Sequence, residues 1–68
     1  MITFELTTAY IELIKLLKIT RIAESGGMAK VLVENGEVRR NGEIETRKRA
    51  KITKGETITV LGKTIQIV

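Results

Sequence analysis

Apolar residues change their period twice along this chain, and that succession leaves few folds open to it. Ile2, Phe4 and Leu6 alternate with Thr3 and Glu5, the period of two that marks a half-buried strand. Over residues 9–18, Leu13, Ile14, Leu16 and Leu17 recur at helical spacing, while Glu12, Lys15 and Lys18 fall on a polar stripe. Thr7 and Thr8 offer side-chain oxygens to cap the start of that helix. Residues 19–24 have a mixed pattern that suits either an extension of the helix or a turn. Ser25 is a good N-cap for a second helix running to about Asn35, with Ala29, Leu32 and Val33 on its inner face and Gly36 where a left-handed residue ends a helix.

Alternation then returns. Asn41-Gly42 separates the strand-like segments 38–40 and 43–45, and both residues tolerate the positive φ of a type I′ hairpin turn. Segments 57–60 and 64–67 alternate again, bounded by turns at 54–56 and 61–63. The order β-α-α-β-β-β-β predicts one α+β domain over residues 1–68, with two short helices on one face of a small, mostly antiparallel sheet of four to five strands.

What the chain lacks narrows its chemistry. Sixty-eight residues support a stability of about 5 kcal/mol at best. Cysteine and histidine are absent, all eight acidic residues are Glu, and Ser25 is the only serine. No disulfide or thiolate metal site can form, and no side chain titrates near neutrality without strong perturbation. The usual nucleophile–base pairs cannot be assembled, so the chain reads as non-enzymatic, with no metal and no cofactor. The first residues carry no basic stretch followed by a long apolar run, and no apolar run approaches the ~20 residues of a membrane span. A cytoplasmic location is the expectation.

The net charge of +4 is local. Segment 39–51 holds six cations (Arg39, Arg40, Arg47, Lys48, Arg49, Lys51) against Glu43 and Glu45, while the rest of the chain balances six cations with six glutamates. A basic cluster on an otherwise balanced small domain is the electrostatic footprint of a partner that is a polyanion.

Several segments, in order, resemble the small stand-alone S-four-type RNA-binding proteins of the YbcJ/YaaA group. They are Ile11-Glu12-Leu13 with Leu17-Lys18, Ser25-Gly26-Gly27-Met28-Ala29-Lys30, Gly36-Glu37-Val38, Asn41-Gly42, and Glu45-Thr46-Arg47-Lys48-Arg49-Ala50-Lys51 followed by Gly55. The resemblance runs from about residue 11 to residue 68. That domain takes its name from a small-subunit ribosomal protein, and it also occurs fused to pseudouridine synthases and bacterial tyrosyl-tRNA synthetases. The resemblance implies an αL motif of two helices and a sheet that binds structured RNA through its helices and an adjoining loop. The resemblance does not say which RNA; ribosomal or transfer RNA is the expected partner, and a bacterial, ribosome-associated role the expected setting.

One position departs from the family pattern. Arg40 stands where the family has an apolar residue, and alternation with Val38 turns it toward the core. Two outcomes suit such a residue: the sheet ends there and the head snorkels to the edge, or the guanidinium joins the RNA face.

The candidate RNA contacts are Lys18, Arg21, Gly26, Gly27, Lys30, Arg39, Arg40, Arg47, Lys48, Arg49 and Lys51. Arg offers planar, bidentate donation to phosphate and Lys a mobile point charge. Gly26-Gly27 opens the second helix with two poor helix formers. Two readings stand: the glycines leave amides bare for a phosphate, with Lys30 one turn on, or they let this helix pack closely on the first or relieve a strained entry. Lys15 is expected on a solvated face, and Glu12–Lys15 and Lys30–Glu34 are expected as intrahelix pairs. Phe4 and Tyr10, the only aromatics, are expected at the core or its edge. Without exposed rings on which bases stack, folded or double-stranded RNA is the expected target. The competing reading is a protein-interaction module that meets an acidic partner through its basic face or adds a partner strand at the edge formed by the last strand.

Overall fold

The computed structural model describes residues 1–68. In chain order the elements are β1 (Ile2–Phe4), β2 (Ile11–Glu12), α1 (Leu13–Ile19), α2 (Gly26–Glu34), β3 (Val38–Arg40), β4 (Glu43–Ile44), β5 (Lys51–Ile52), β6 (Thr57–Val60) and β7 (Lys63–Ile67). Five strands form one sheet in the order β1-β7-β6-β3-β4, in which only β1 and β7 run parallel. The α+β class, the two helices and the mostly antiparallel five-stranded sheet agree with the sequence.

Two tight turns set the sheet register. Asn41 and Gly42 both have positive φ, at 52° and 89°, which lets Arg39 pair with Ile44 and Arg40 with Glu43. Leu61 and Gly62 do the same at 52° and 75°, closing the β6–β7 hairpin. Asparagine and glycine suit that conformation, whereas leucine does not. Leu61 is therefore a locally strained, exposed residue.

The core lies between the helices and the sheet. Leu13, Leu16 and Leu17 of α1 meet Ala29, Leu32 and Val33 of α2 above Val38, Ile58, Val60, Ile65 and Ile67. The second helix follows its sequence signals. Ser25 Oγ accepts from the Met28 N–H at 3.2 Å. At the other end Gly36 N–H donates to Val33 O and Glu37 N–H to Leu32 O, the paired bonds of a Schellman ending.

The first helix departs from expectation. It begins at Leu13 rather than near residue 9, and neither Thr7 nor Thr8 caps it. Ile11 and Glu12 instead pair antiparallel with Ile52 and Lys51, a two-stranded ladder that the sequence did not reveal. Thr8 Oγ1 donates to Tyr10 O at 2.8 Å within that lead-in. The opening amides of α1 are satisfied by backbone: Leu13 N–H donates to Ala50 O at 2.9 Å and Ile14 N–H to Lys48 O at 3.1 Å. A long-range partner has replaced the local cap. This ties the basic segment to the start of α1.

The last strand is also placed differently from the strand-addition reading. β7 lies between β1 and β6, and Val68 is itself paired, its N–H donating to Phe4 O and its O accepting from Leu6 N–H. No edge is open at the C-terminal strand. The sheet edges are β1 and β4.

Candidate functional site

Arg40 does turn inward, and an internal ion-pair network receives it. Its Nε lies 2.6 Å from Glu56 Oε1 and its Nη2 3.0 Å from Glu56 Oε2. Nη1 reaches Glu45 Oε1 at 3.2 Å, and Nη2 also donates to Lys51 O at 2.8 Å. With the side chain 23% exposed and four acceptor atoms engaged, neither snorkelling nor the RNA face describes this residue. Four of its five N–H donors hold β3 to the turn before β6 and to the basic segment. The RNA-contact expectation for Arg40 is corrected on that ground.

The two carboxylates of the network are perturbed in the same direction. Hydrogen bonds from Arg47, with support from Arg40, overcome burial and lower Glu45 from 4.5 to about 2. Arg40, helped by the Thr53 amide and hydroxyl, lowers Glu56 from 4.5 to about 2. Glu45 Oε2 accepts from both the Arg47 amide and Arg47 Nε at 3.1 Å. Asn41 joins through Nδ2 to Glu56 Oε1 at 3.1 Å. Such a network orders the chain from residue 45 to residue 53. Its signal in the sequence was an arginine at a core-facing register, which requires an acid partner, but spacing alone does not say which of eight glutamates supplies it.

Along the ordered segment the carbonyls of Lys48 and Ala50 face α1, while the Arg47 and Arg49 side chains are 75% and 80% exposed. Lys48 Nζ crosses to α2 and lies 3.3 Å from Glu34 Oε2. Glu34 follows Lys30 by one helical turn, so Lys48 reaches the C-terminal end of the α2 face on which Lys30 also lies. Glu34 thus pairs with Lys48 rather than with Lys30, and Glu12 has Arg49 as its partner, at a loose 3.9 Å, rather than Lys15. Lys51 Nζ sits 5.0 Å from the centroid of the Tyr10 ring. Arg39 lies on the β3–β4 hairpin, where Nη1 donates to Gly42 O at 3.2 Å and no acid pairs with it.

The start of α2 resolves one of the two glycine readings. A Cβ at Gly26 would meet nothing within 4 Å, and one at Gly27 only Ser25 Oγ at 3.8 Å. Neither glycine has a positive φ. Close packing of the helices therefore does not require them. Two residues costing helix stability stand at an exposed N-terminus without a structural need.

Lys18 and Arg21 form a second group at the far end of α1, where they and Lys15 surround the exposed Ile19. Arg21 has φ 63°, the left-handed position after a helix that ordinarily takes glycine. A bulky cation there carries a conformational cost that glycine would not. No residue group has the makings of a metal site, and no helix is long and apolar enough to cross a membrane.

Comparison with known proteins decides the family. The S4 domain pattern matches residues 4–68, nearly the whole chain. The chain belongs to the S4 domain family. It is 42% identical over 59 residues to YbcJ of Escherichia coli (strain K12), a match covering 87% of this chain and 84% of that one. The solution structure of E. coli YbcJ, described as revealing an αL motif involved in RNA-binding, superposes with a TM-score of 0.77 and covers all of this chain and 87% of YbcJ. The trimeric heat shock protein 15 of Vibrio cholerae is similar over 79% of this chain and 54% of its own, with 26% identity and a TM-score of 0.71.

Proposed function

We propose that this S4-domain protein binds structured RNA without catalysis, gripping phosphates from two sides of its helical layer. One side is the 47–51 segment with Lys30 and the bare amides of Gly26 and Gly27; the other is Lys18 with Arg21. Ribosomal or transfer RNA in the bacterial cytoplasm is the target class.

The observation that carries this reading is the surplus of unpaired charge. Of twelve cations, Lys15, Lys18, Arg21, Lys30, Arg39, Lys51, Lys54 and Lys63 have no acid within ion-pair distance, and all eight are exposed. Arg47 and Arg49 add exposed guanidiniums whose acid partners leave donors free. The internal network supports the same reading, because Glu45 and Glu56 hold the segment's backbone while its outer side chains stay available. A preordered cationic surface loses little side-chain and loop entropy on binding. The likeness to YbcJ supplies the polyanion: RNA.

Binding that neutralises about five phosphates has a log–log salt slope of about −4. Titration of a ribosomal RNA fragment at several salt concentrations, followed by fluorescence anisotropy, measures it. A slope near zero refutes phosphate gripping as the mechanism.

A further inference from the structure

Tyr10, expected at the core or its edge, lies at the edge. It is 42% exposed, it is the chain's only tyrosine, and no tryptophan competes with it. It lines a surface groove between the 7–12 lead-in and the outer side of α1, together with Thr7, Thr8, Glu12, Lys15 and Ile19. Lys51, from the basic segment, holds its ammonium over the ring. Lys15 and Ile19 line this groove and also the hollow that holds Lys18 and Arg21. The groove therefore joins the two cationic groups, with an aromatic face at one end and an exposed aliphatic side chain partway along.

We propose that this groove takes an unpaired stretch of the bound RNA, in which one base displaces the Lys51 ammonium from the Tyr10 ring face and stacks there, while that ammonium and Lys15 take the flanking phosphates. The inference rests on the RNA reading and adds to it the kind of RNA: a folded element with a single-stranded flank. Three features favour a nucleotide as occupant. An exposed ring stacks any base, since every base has a π-face. The Lys51 ammonium over the ring is on a flexible stem, so a base that takes its place leaves it one short swing from the adjacent phosphate. Glu12, the groove's one carboxylate, is partly offset by Arg49, so the groove's balance stays cationic. A strip alternating cation, ring, cation and aliphatic side chain suits a polymer that alternates charge and flat apolar surface. One ring permits one stacked base, which accords with a domain that otherwise grips backbone.

The test uses the full chain and a pair of RNA hairpins alike except for a short unpaired extension, placed at the 5′ end in one set and the 3′ end in another. The extension carries 2-aminopurine. The wild-type chain should bind one extended hairpin about tenfold more tightly than the blunt one and quench the 2-aminopurine. Tyr10→Ala should lose that advantage and the quenching while binding the blunt hairpin unchanged, and Tyr10→Phe and Tyr10→Trp should retain both. Tyr10→Leu keeps apolar bulk without a ring. It should behave as Tyr10→Ala does, so a folding defect in the alanine variant leaves the question decidable. Equal wild-type affinity for extended and blunt hairpins overturns the groove assignment and leaves phosphate gripping intact. Displacement of neither RNA by the other, with an acidic peptide protecting Tyr10 instead, overturns it in favour of a protein occupant. Failure to bind any hairpin overturns the RNA reading and this inference with it.

Discussion

Replacing both Gly26 and Gly27 with alanine should make this protein more stable and worse at binding RNA. In a helix interior alanine is favoured over glycine by about 1 kcal/mol. These residues are the first two of α2, where fewer backbone bonds depend on them, so about half that value is the working figure for each. No steric penalty opposes it, since the new methyl groups meet open space at Gly26 and a 3.8 Å contact with Ser25 Oγ at Gly27. The Ser25 cap and its bond to Met28 N–H are untouched. The double variant should gain about 1 kcal/mol, which in a domain of this size raises Tm by about 4–8 °C. The same methyl groups stand beside the amides that a phosphate would approach, and loss of one close phosphate contact lowers affinity by about tenfold. Thermal unfolding followed by circular dichroism and anisotropy titration with a structured RNA give the two readouts. A lower Tm would mean that the glycines serve the fold after all. A higher Tm with unchanged affinity would remove the α2 start from the binding surface.

Arg47→Ala with Arg49→Ala should weaken binding to unrelated structured RNAs alike and flatten the salt dependence, with the fold retained at lower stability because Glu45 loses two Arg47 side-chain bonds but keeps Arg40 and the residue-47 amide; unchanged affinity at physiological salt removes the segment from the mechanism. Glu45 and Glu56, each held from 4.5 down to about 2, bind protons less readily folded than unfolded. Their contribution is complete above about pH 4.5 and is lost as pH falls toward 2, on the order of 3 kcal/mol for a pair that shares Arg40. Stability measured by denaturant titration should therefore fall over that window, and constancy down to about pH 2 would deny the network its role. Arg21→Gly relieves a left-handed backbone worth about 1 kcal/mol and should raise Tm while lowering RNA affinity; a lower Tm refutes the claim of strain. Leu61→Asn should also raise Tm, by about 0.5–1 kcal/mol in stability, with RNA affinity unchanged, and serves as the control for strain away from the binding surface.

What the sequence made legible was whatever depends on neighbours in the chain. Ser25 as a cap, Gly36 as a helix end and Asn41-Gly42 as a turn are each decided by a few adjacent backbone angles, and all three stand where the pattern put them. The order of the two helices and the five strands of the main sheet followed from period for the same reason. What stayed hidden was decided across the fold. The start of α1 moved because Ile11 found Ile52 as a partner some forty residues on, and a two-residue ladder leaves no periodic trace. Arg40 was legible as a problem, a cation at a core-facing register, but its solution required Glu45 and Glu56 to converge from two other elements. For Tyr10 the sequence left core and core edge open, and the exposed side of its ring was hidden because the lead-in that presents it was read as helix.

The same division explains why the candidate site is half visible in the sequence. Its cations are counted there, but their availability is not. Six cations in segment 39–51 look equivalent as letters. Folded, Arg40 is committed to two carboxylates and Lys48 to Glu34, Arg47 and Arg49 keep exposed guanidiniums beside Glu45 and Glu12, and Arg39 and Lys51 are exposed with no acid partner. The charge that marks the segment is thus divided between building it and equipping it. The division has a physical logic: a surface that must present cations at set positions needs carboxylates beneath it, because mutually repelling guanidiniums do not order themselves. On this account the glutamates under the basic segment belong to the binding apparatus as much as the arginines above them, although no RNA would touch them.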